Sequence, residues 1–453
     1  MCFAVRRGDL QSRLDPAYAR NARKHTFAYS CHTLGSLVAE EPTYGTSARA
    51  VERLSEVEPR YIRITDFGND GIELPHEFVA AESWDEKHLL VTGDMLFARS
   101  GATVGKTYLH TTELDPAVFA GYCIRFRFNS NVVLSEYVYE FTKTQAYATW
   151  VAAIQRPAGQ PNINKEEFKT LELPVPPLNI QRRLVAELNA ARAERDKALR
   201  EADELLNTFK PWALQRMNIK PPVRASRGCY AVRVDSAATR LDPFFHAPEF
   251  QVIARAVASV PHAQLGELAG FSSETWNAKK HPTSTFNYIE ISGVDRQRGI
   301  ATAREMAVHD APSRARMAVR EDDILVSLTR PHHGSIALLE SRHEGHVAST
   351  GFAVIRTVDA SRVSKEFLWA MLRLSISLKQ MERRSSGGNY PAITQDELAR
   401  VVVPVPDMAT QAEIVEEITR RKVRSEFLRE QAELIWRKAR EHFEEQLLQG
   451  EAE

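Results

Sequence analysis

The chain is one plan written twice, and this duplication constrains its fold more than any other feature. RLDP at Arg13–Pro16 returns at Arg240–Pro243, 227 positions later. LGSL at Leu34–Leu37 is answered by LGEL at Leu265–Leu268, and YIRI at Tyr61 by YIEI at Tyr288, at offsets of 231 and 227. GDMLFARSG at Gly93 answers DDILVSLTR at Asp322, GYCIRFR at Gly121 answers GFAVIRT at Gly351, and LPVPPLNIQRRLVAEL at Leu173 answers VPVPDMATQAEIVEEI at Val403. Six matches in one order, with offsets that drift by only four residues, mark a tandem duplication over nearly all 453 residues.

Each copy has two parts. The first is strand-rich: YIRI, MLFA, KTYLH and CIRFRF are short β-type runs separated by Gly, Asp, Asn and Pro. A helical stretch follows, VLSEYVYEFTKTQAYATWVAAI in copy one and SKEFLWAMLRLSISLKQMERR in copy two. Then come a polar loop (PAGQPNIN or SSGGNYPAIT) and a proline-bracketed strand (LELPVPP or VVVPVPD).

The second part is a long helix with a coiled-coil seam. Its positions run Leu184, Leu188, Ala191, Arg195, Ala198, Ala202, Leu205 and Phe209, alternating steps of four and three. Adding 230 gives Ile414, Ile418, Arg421, Ser425, Leu428, Ala432, Ile435 and Ala439, the same register with Arg421 as one mismatch. Two matched, narrow-faced helices most simply pack on each other, with Leu184, Leu188, Leu205, Phe209, Ile414, Ile418, Leu428 and Ile435 as the packing residues. Arg195 and Ser425 share one seam position and are polar in both copies, a device that fixes register at some cost in stability. The expected fold is therefore α+β: two tandem strand-rich domains, each followed by a long helix, the helices pairing as an antiparallel coiled coil. The boundaries read 1–176 and 218–406 for the domains, and 177–217 and 407–453 for the helices.

Composition narrows the function classes. Hydrophobic residues at 43% and charged residues at 26% describe a soluble globular chain. Lys+Arg and Asp+Glu are both 59, but a zero sum does not exclude nucleic acid, which local basic patches hold. Cys2, Cys31, Cys123 and Cys229 are scattered without CxxC spacing, which suggests neither zinc nor disulfides and fits a reducing cytoplasm. No apolar run is long enough to span a bilayer, and the start does not resemble a signal peptide.

One stretch, RSGATVGKT at Arg99–Thr107, is one substitution short of a phosphate-binding loop, with Ser100 in place of the first glycine. Such a loop needs a helix after it, and here a strand-like run follows. Copy two reads LTRPHHGSIA, with Ser335 where Lys106 stood. What persists is a turn glycine, Gly105 or Gly334, with a basic residue nearby, so the stretch is a strand connection and not a nucleotide site.

These phrases carry a resemblance. Two divergent strand-rich domains, each closed by a phrase like LPVPPLNIQRRL and a long helix, resemble the specificity subunit of a type I restriction-modification system. GDMLFARSGATVGK at Gly93–Lys106, GQPNI at Gly159–Ile163 and GNYPAI at Gly388–Ile393 are similar to that family's target-recognition domains. The resemblance implies that each domain reads one half of a split double-stranded DNA target and that the helices set the distance between the halves. It implies docking of two methyltransferase subunits, and of restriction subunits for ATP-driven translocation and cleavage. This chain would carry no cofactor; S-adenosylmethionine, ATP and Mg would belong to the partners. No D/N-P-P-(Y/F) methylation motif appears; LDPFF at Leu241 has one proline too few. A stand-alone scaffold with the same duplicated fold is the alternative.

Base edges are read by Arg, Lys, Asn or Gln, and phosphates are held by Arg, Lys or backbone N–H groups. The loop residues expected to meet DNA are Arg99, Lys106, Arg156, Gln160 and Asn162 in copy one, and Arg330, His332, His333, Arg384, Asn389 and Tyr390 in copy two. The adjacent histidines, read as strand residues pointing to opposite faces and lacking a third ligand, do not suggest a metal. Asp322-Asp323 and Glu166-Glu167 read as turn and helix-start residues.

Overall fold

The computed structural model describes residues 26–68, 71–72, 78–111, 116–154, 161–220, 230–232, 242–280 and 285–450. The chain divides into two compact units, one of Met1–Asp196 with Ala432–Glu453, the other of Lys197–Gln431. Each unit holds one copy of the strand-rich part together with segments of both long helices, Leu178–Arg216 and Met408–Gln449.

The duplication is visible strand by strand. In the first unit a four-stranded antiparallel sheet runs in the order Thr43–Tyr44, Cys123–Phe126, Met95–Ala98, Thr107–Leu109. In the second unit the order is Ala269–Phe271, Phe352–Val358, Ile324–Ser327, Ile336–Leu338. A parallel pair recurs as well: Arg60–Ile62 with Ala117–Phe119, and Thr285–Ile289 with Val347–Ser349. The proline-bracketed strands Glu172–Pro174 and Val402–Pro404 each form a two-stranded antiparallel ladder, with Cys31–Thr33 and His262–Gln264. Proline is tolerated there because such a strand has a free edge.

The sheet strands read MLFA and ILVS because both faces are covered, and all eight residues are buried. In the first unit Phe97, Phe126 and Phe168 interlock, with Phe97 4.9 Å from Phe126 and 5.0 Å from Phe168 between ring centroids. In the second, Phe250, Phe367, Trp369 and Met371 fill the corresponding core.

The expected single helical stretch is two helices in each copy. Ser135–Phe141 and Gln145–Ile154 are separated by a turn, as are Lys365–Leu372 and Ser375–Arg384. In copy one the hydroxyls of Thr142 and Thr144 donate to the carbonyls of Tyr139 and Phe141, at 2.6 and 2.7 Å. Such local bonds compete with the helical ladder and let the chain change direction.

The long helices pair antiparallel within each unit. In the first, Leu184 and Leu188 share a core with Phe443 and Leu447, and His442 reaches Glu187 while Trp436 lies against Arg195. In the second, Phe209 shares a core with Ile414 and Ile418, and Arg216 pairs with Glu413 at 2.5 Å. Leu428 is buried, whereas Leu205 and Ile435 are half-buried.

The polar seam residues are accommodated individually. Ser425 is buried and donates to the carbonyl of Ala202 at 3.0 Å. Arg195 lies 4.8 Å from the ring centroid of Trp436. Arg421, the register mismatch, donates to the Leu205 carbonyl at 3.1 Å and the Thr208 hydroxyl at 2.9 Å, and Glu417 accepts from its Nε.

Candidate nucleic-acid interface

The opening phrase of the motif is a clasp. Strand Met95–Ala98 ends at Arg99, and Ser100 bridges to Asn162 in the loop before the short helix Lys165–Lys169. The Arg99 N–H donates to Tyr122, the Ile163 N–H to Arg99 and the Gly101 N–H to Pro161, at 3.0, 2.8 and 3.1 Å. Copy two repeats every bond at an offset of 229 or 230. Thr329 bridges to Ala392, and the N–H groups of Leu328, Ile393 and Arg330 donate to Gly351, Leu328 and Pro391 at 2.7, 2.9 and 2.7 Å.

After the clasp the chain takes one 3-10 turn, Gly101–Thr103 or Pro331–His333, and re-enters the sheet as Thr107–Leu109 or Ile336–Leu338. A strand follows the glycine-lysine pair, so no helix N-terminus faces a phosphate there. Gly105 and Gly334 have φ of +84° and +77°. At Gly105 a Cβ would also lie 2.7 Å from a methyl of Val151. This glycine is thus required for the turn and for helix packing.

The basic residues cluster around this clasp. Lys106 is exposed at the turn. Arg99 is half-buried, with its guanidinium carbon 4.9 Å from the ring centroid of Tyr44. Asn162 sits in the clasp with its Oδ1 buried and unbonded. Arg156 and Gln160 lie outside the described residues.

In copy two, Arg330 lies 4.4 Å from the ring centroid of Tyr390 and donates to the Asn389 carbonyl at 2.8 Å. Asn389 and Tyr390 are exposed, Tyr390 by 71%. His332 and His333 lie on the 3-10 turn and not on a strand, because Pro331 and Gly334 bracket a single turn there. Their rings meet edge to face at 4.5 Å. Burial, then the neighbouring His332, Arg296 and Arg330, hold the His333 imidazole below its usual range.

Arg384 closes the helix Ser375–Arg384 and pairs with Glu397 at 2.9 Å, so it braces the loop from inside the domain. Tyr44 and Arg296 were absent from the expected set. Tyr44 stands 55 positions before Arg99, so only the folded sheet brings the two together.

Two further residues hold the sheet behind the clasp. Asp94 and Asp323 are 1% exposed. Asp94 accepts from the Val91 N–H and from Arg127 Nε and Nη2; Asp323 accepts from the Arg320 N–H and from Arg356 Nε and Nη2. Both carboxylates are structural. Among the described residues no group of three or more His, Cys, Asp or Glu side chains is placed to hold a metal, and no helix is long and apolar enough to cross a membrane.

The family model described as the type I restriction modification DNA specificity domain matches residues 52–198 and again 264–426, together more than half of the chain. The chain is 33% identical over 114 residues to the HindI type I restriction enzyme specificity subunit of Haemophilus influenzae, a match spanning 25% of each protein. A solved chain from a study of complex assembly and conformational transition of the type I R-M system is covered in full, over 95% of this chain, at 16% identity and a TM-score of 0.48. The HsdS subunit of Thermoanaerobacter tengcongensis is 99% covered, over 95% of this chain, at 15% identity and a TM-score of 0.38. The two family matches fall one on each copy, over the clasps and into the long helices, and the chain belongs to the type I restriction-modification DNA specificity family.

Proposed function

We propose that this chain directs a type I restriction-modification complex to a split, asymmetric DNA target, each copy reading one half. The supporting observation is the clasp built twice with one set of backbone bonds and two sets of side chains. The shared bonds keep each loop in place. The divergent residues, Arg99 and Lys106 against Arg330, His332 and His333, give each loop its own donors. Different donors in one frame select different bases, the logic by which paired modules read paired half-sites.

The proposed recognition domains are 1–176 and 218–406. The helices, 177–217 and 407–453, act as the spacer and dock two methyltransferase subunits, with restriction subunits joining the assembly. The chain itself performs no chemistry: methyl transfer from S-adenosylmethionine and ATP-driven, Mg-dependent cleavage reside in the partners. Arg99, Lys106, Asn162, Arg330, His332, His333, Asn389 and Tyr390 stand on the loops that meet DNA, with Arg156, Gln160 and Arg384 as further contacts.

The test is a map of methylated bases across the genome of the source cell, with and without this gene. Loss of methylation at one split, asymmetric motif is the expected result. A map in which no motif changes would contradict the reading and favour a scaffold role.

A further inference from the structure

Beside each clasp an arginine lies on a tyrosine ring, and the two copies build this pair from unrelated positions. Arg99 lies on Tyr44 in the first, Arg330 on Tyr390 in the second. At the offset of 229 that relates the clasps, Leu328 stands where Arg99 does, and Gly101 stands where Arg330 does. Tyr390 corresponds to Gln160 at the offset of 230, whereas Tyr44 comes from a strand early in its domain. A feature kept from the common ancestor would occupy matching positions. This one occupies unmatched positions in the two copies.

The second copy also holds the pair against a backbone penalty. Arg330 has φ +47° and ψ +53°, the left-handed region that its counterpart Gly101, at φ +77°, enters freely. It also precedes Pro331, a position that favours extended backbone. Strain kept at an exposed loop points to a use for the side chain.

The chemistry of that use follows from the contact between guanidinium and ring. A guanidinium held over a ring face is restrained there while its N–H donors remain for a further partner. Among the described residues the Nε of Arg99 is buried without a hydrogen-bond partner, which leaves its two Nη groups as the donors for a further contact. Arg330 commits one Nη to Asn389 and keeps its other donors. A fixed two-donor edge matches the N7 and O6 acceptors of guanine in the major groove. A phosphate accepts the same fork but carries no base identity, so base and phosphate contacts are told apart by whether a variant relaxes one letter of the motif or weakens every site.

We propose that each arginine–tyrosine pair reads one guanine in its own domain's half-site. The proposal rests on the DNA-reading function above and assigns these residues to specificity, not to general affinity. It is tested in the full chain within its modification complex, by mapping methylated bases for the wild type, Arg330→Gly and Arg99→Lys. Glycine suits the backbone at 330, and lysine keeps the charge at 99 while losing the flat fork, so both variants should fold.

The expected wild-type motif contains a guanine in each half. Arg330→Gly should relax one guanine position in one half by about tenfold or more, leaving every letter of the other half intact. Arg99→Lys should do the same in the other half. Tyr390→Leu should relax the position that Arg330→Gly relaxes, and Tyr390→Phe should not. The proposal is overturned if the arginine variants keep the full motif at wild-type stringency, or lose methylation evenly at all sites with an unchanged melting temperature. A wild-type map with no split motif overturns it together with the DNA-reading function.

Discussion

Asp94 and Asp323 stand 229 positions apart and serve one purpose: each ties the turn into a sheet strand to an arginine of the neighbouring chain segment, Arg127 just past its strand and Arg356 within it. Removing either carboxylate leaves a backbone N–H, of Val91 or Arg320, without its acceptor and takes two hydrogen bonds from an arginine, which keeps Glu40 and Leu89 or Glu274 and Ala318. Asp94→Ala and Asp323→Ala should each cost about 2 kcal/mol, read by denaturant titration. A cost under about 1 kcal/mol for both would show that these pairs are only surface ion pairs. A pH effect follows from His346 and His88, whose imidazoles burial holds below the usual value; His343 beside the first and Lys87 beside the second add to the shift. The unfolded chain takes up these protons at higher pH than the folded chain. Their stabilisation is therefore complete above about pH 6.5 and falls as the pH drops towards the folded values. The melting temperature should be lower at pH 5.5 than at pH 7.5, and His346→Gln should shrink that difference. An unchanged difference would remove His346 from the account. At this scale the sequence was partly legible. Arg99 and Arg330 could be named from their place beside a turn glycine. Tyr44 could not, because its partner lies across the sheet. Arg384 ends the helical phrase beside the polar loop, and its pairing with Glu397, 13 positions on, shows only in the fold.

The long helices were the most legible elements, since a seam repeating in one register survives any detail of packing. Leu184 and Leu188 reach the core of the first unit as their spacing implies, while Leu205, one of the same series, is only half-buried. Leu188→Ala should cost about 3 kcal/mol and Leu205→Ala clearly less, measured by thermal or denaturant unfolding. Equal costs would mean that burial does not rank these positions. The helical stretch before the clasp was less legible. Residues 142–144 are Thr-Lys-Thr, with no Gly or Pro to mark a break, and the break depends on threonine hydroxyls that turn back on the carbonyls of the preceding helix. The histidine pair was misplaced on a strand for a similar reason: Pro331 and Gly334 impose a tight turn that alternation of side chains does not reveal.

For the molecule as a whole, duplication was the feature that carried furthest, because one arrangement written twice predicts one topology built twice. On the proposed reading the paired helices determine how far apart the two half-sites lie. Deleting one heptad from a single helix should disrupt the pairing or change the gap. Deleting matched heptads from both should shorten the gap by about 10 Å, roughly three base pairs. Unchanged spacing together with unchanged stability would show that the helices are not the spacer. The central claim, that each copy reads its own half-site, is tested most directly by replacing residues 218–406 with a second copy of 1–176 and mapping methylated bases in cells that express this chain with its partner subunits. The account predicts a new motif made of two identical halves, both matching the half assigned to the first domain. A map that still contains the second wild-type half would contradict it.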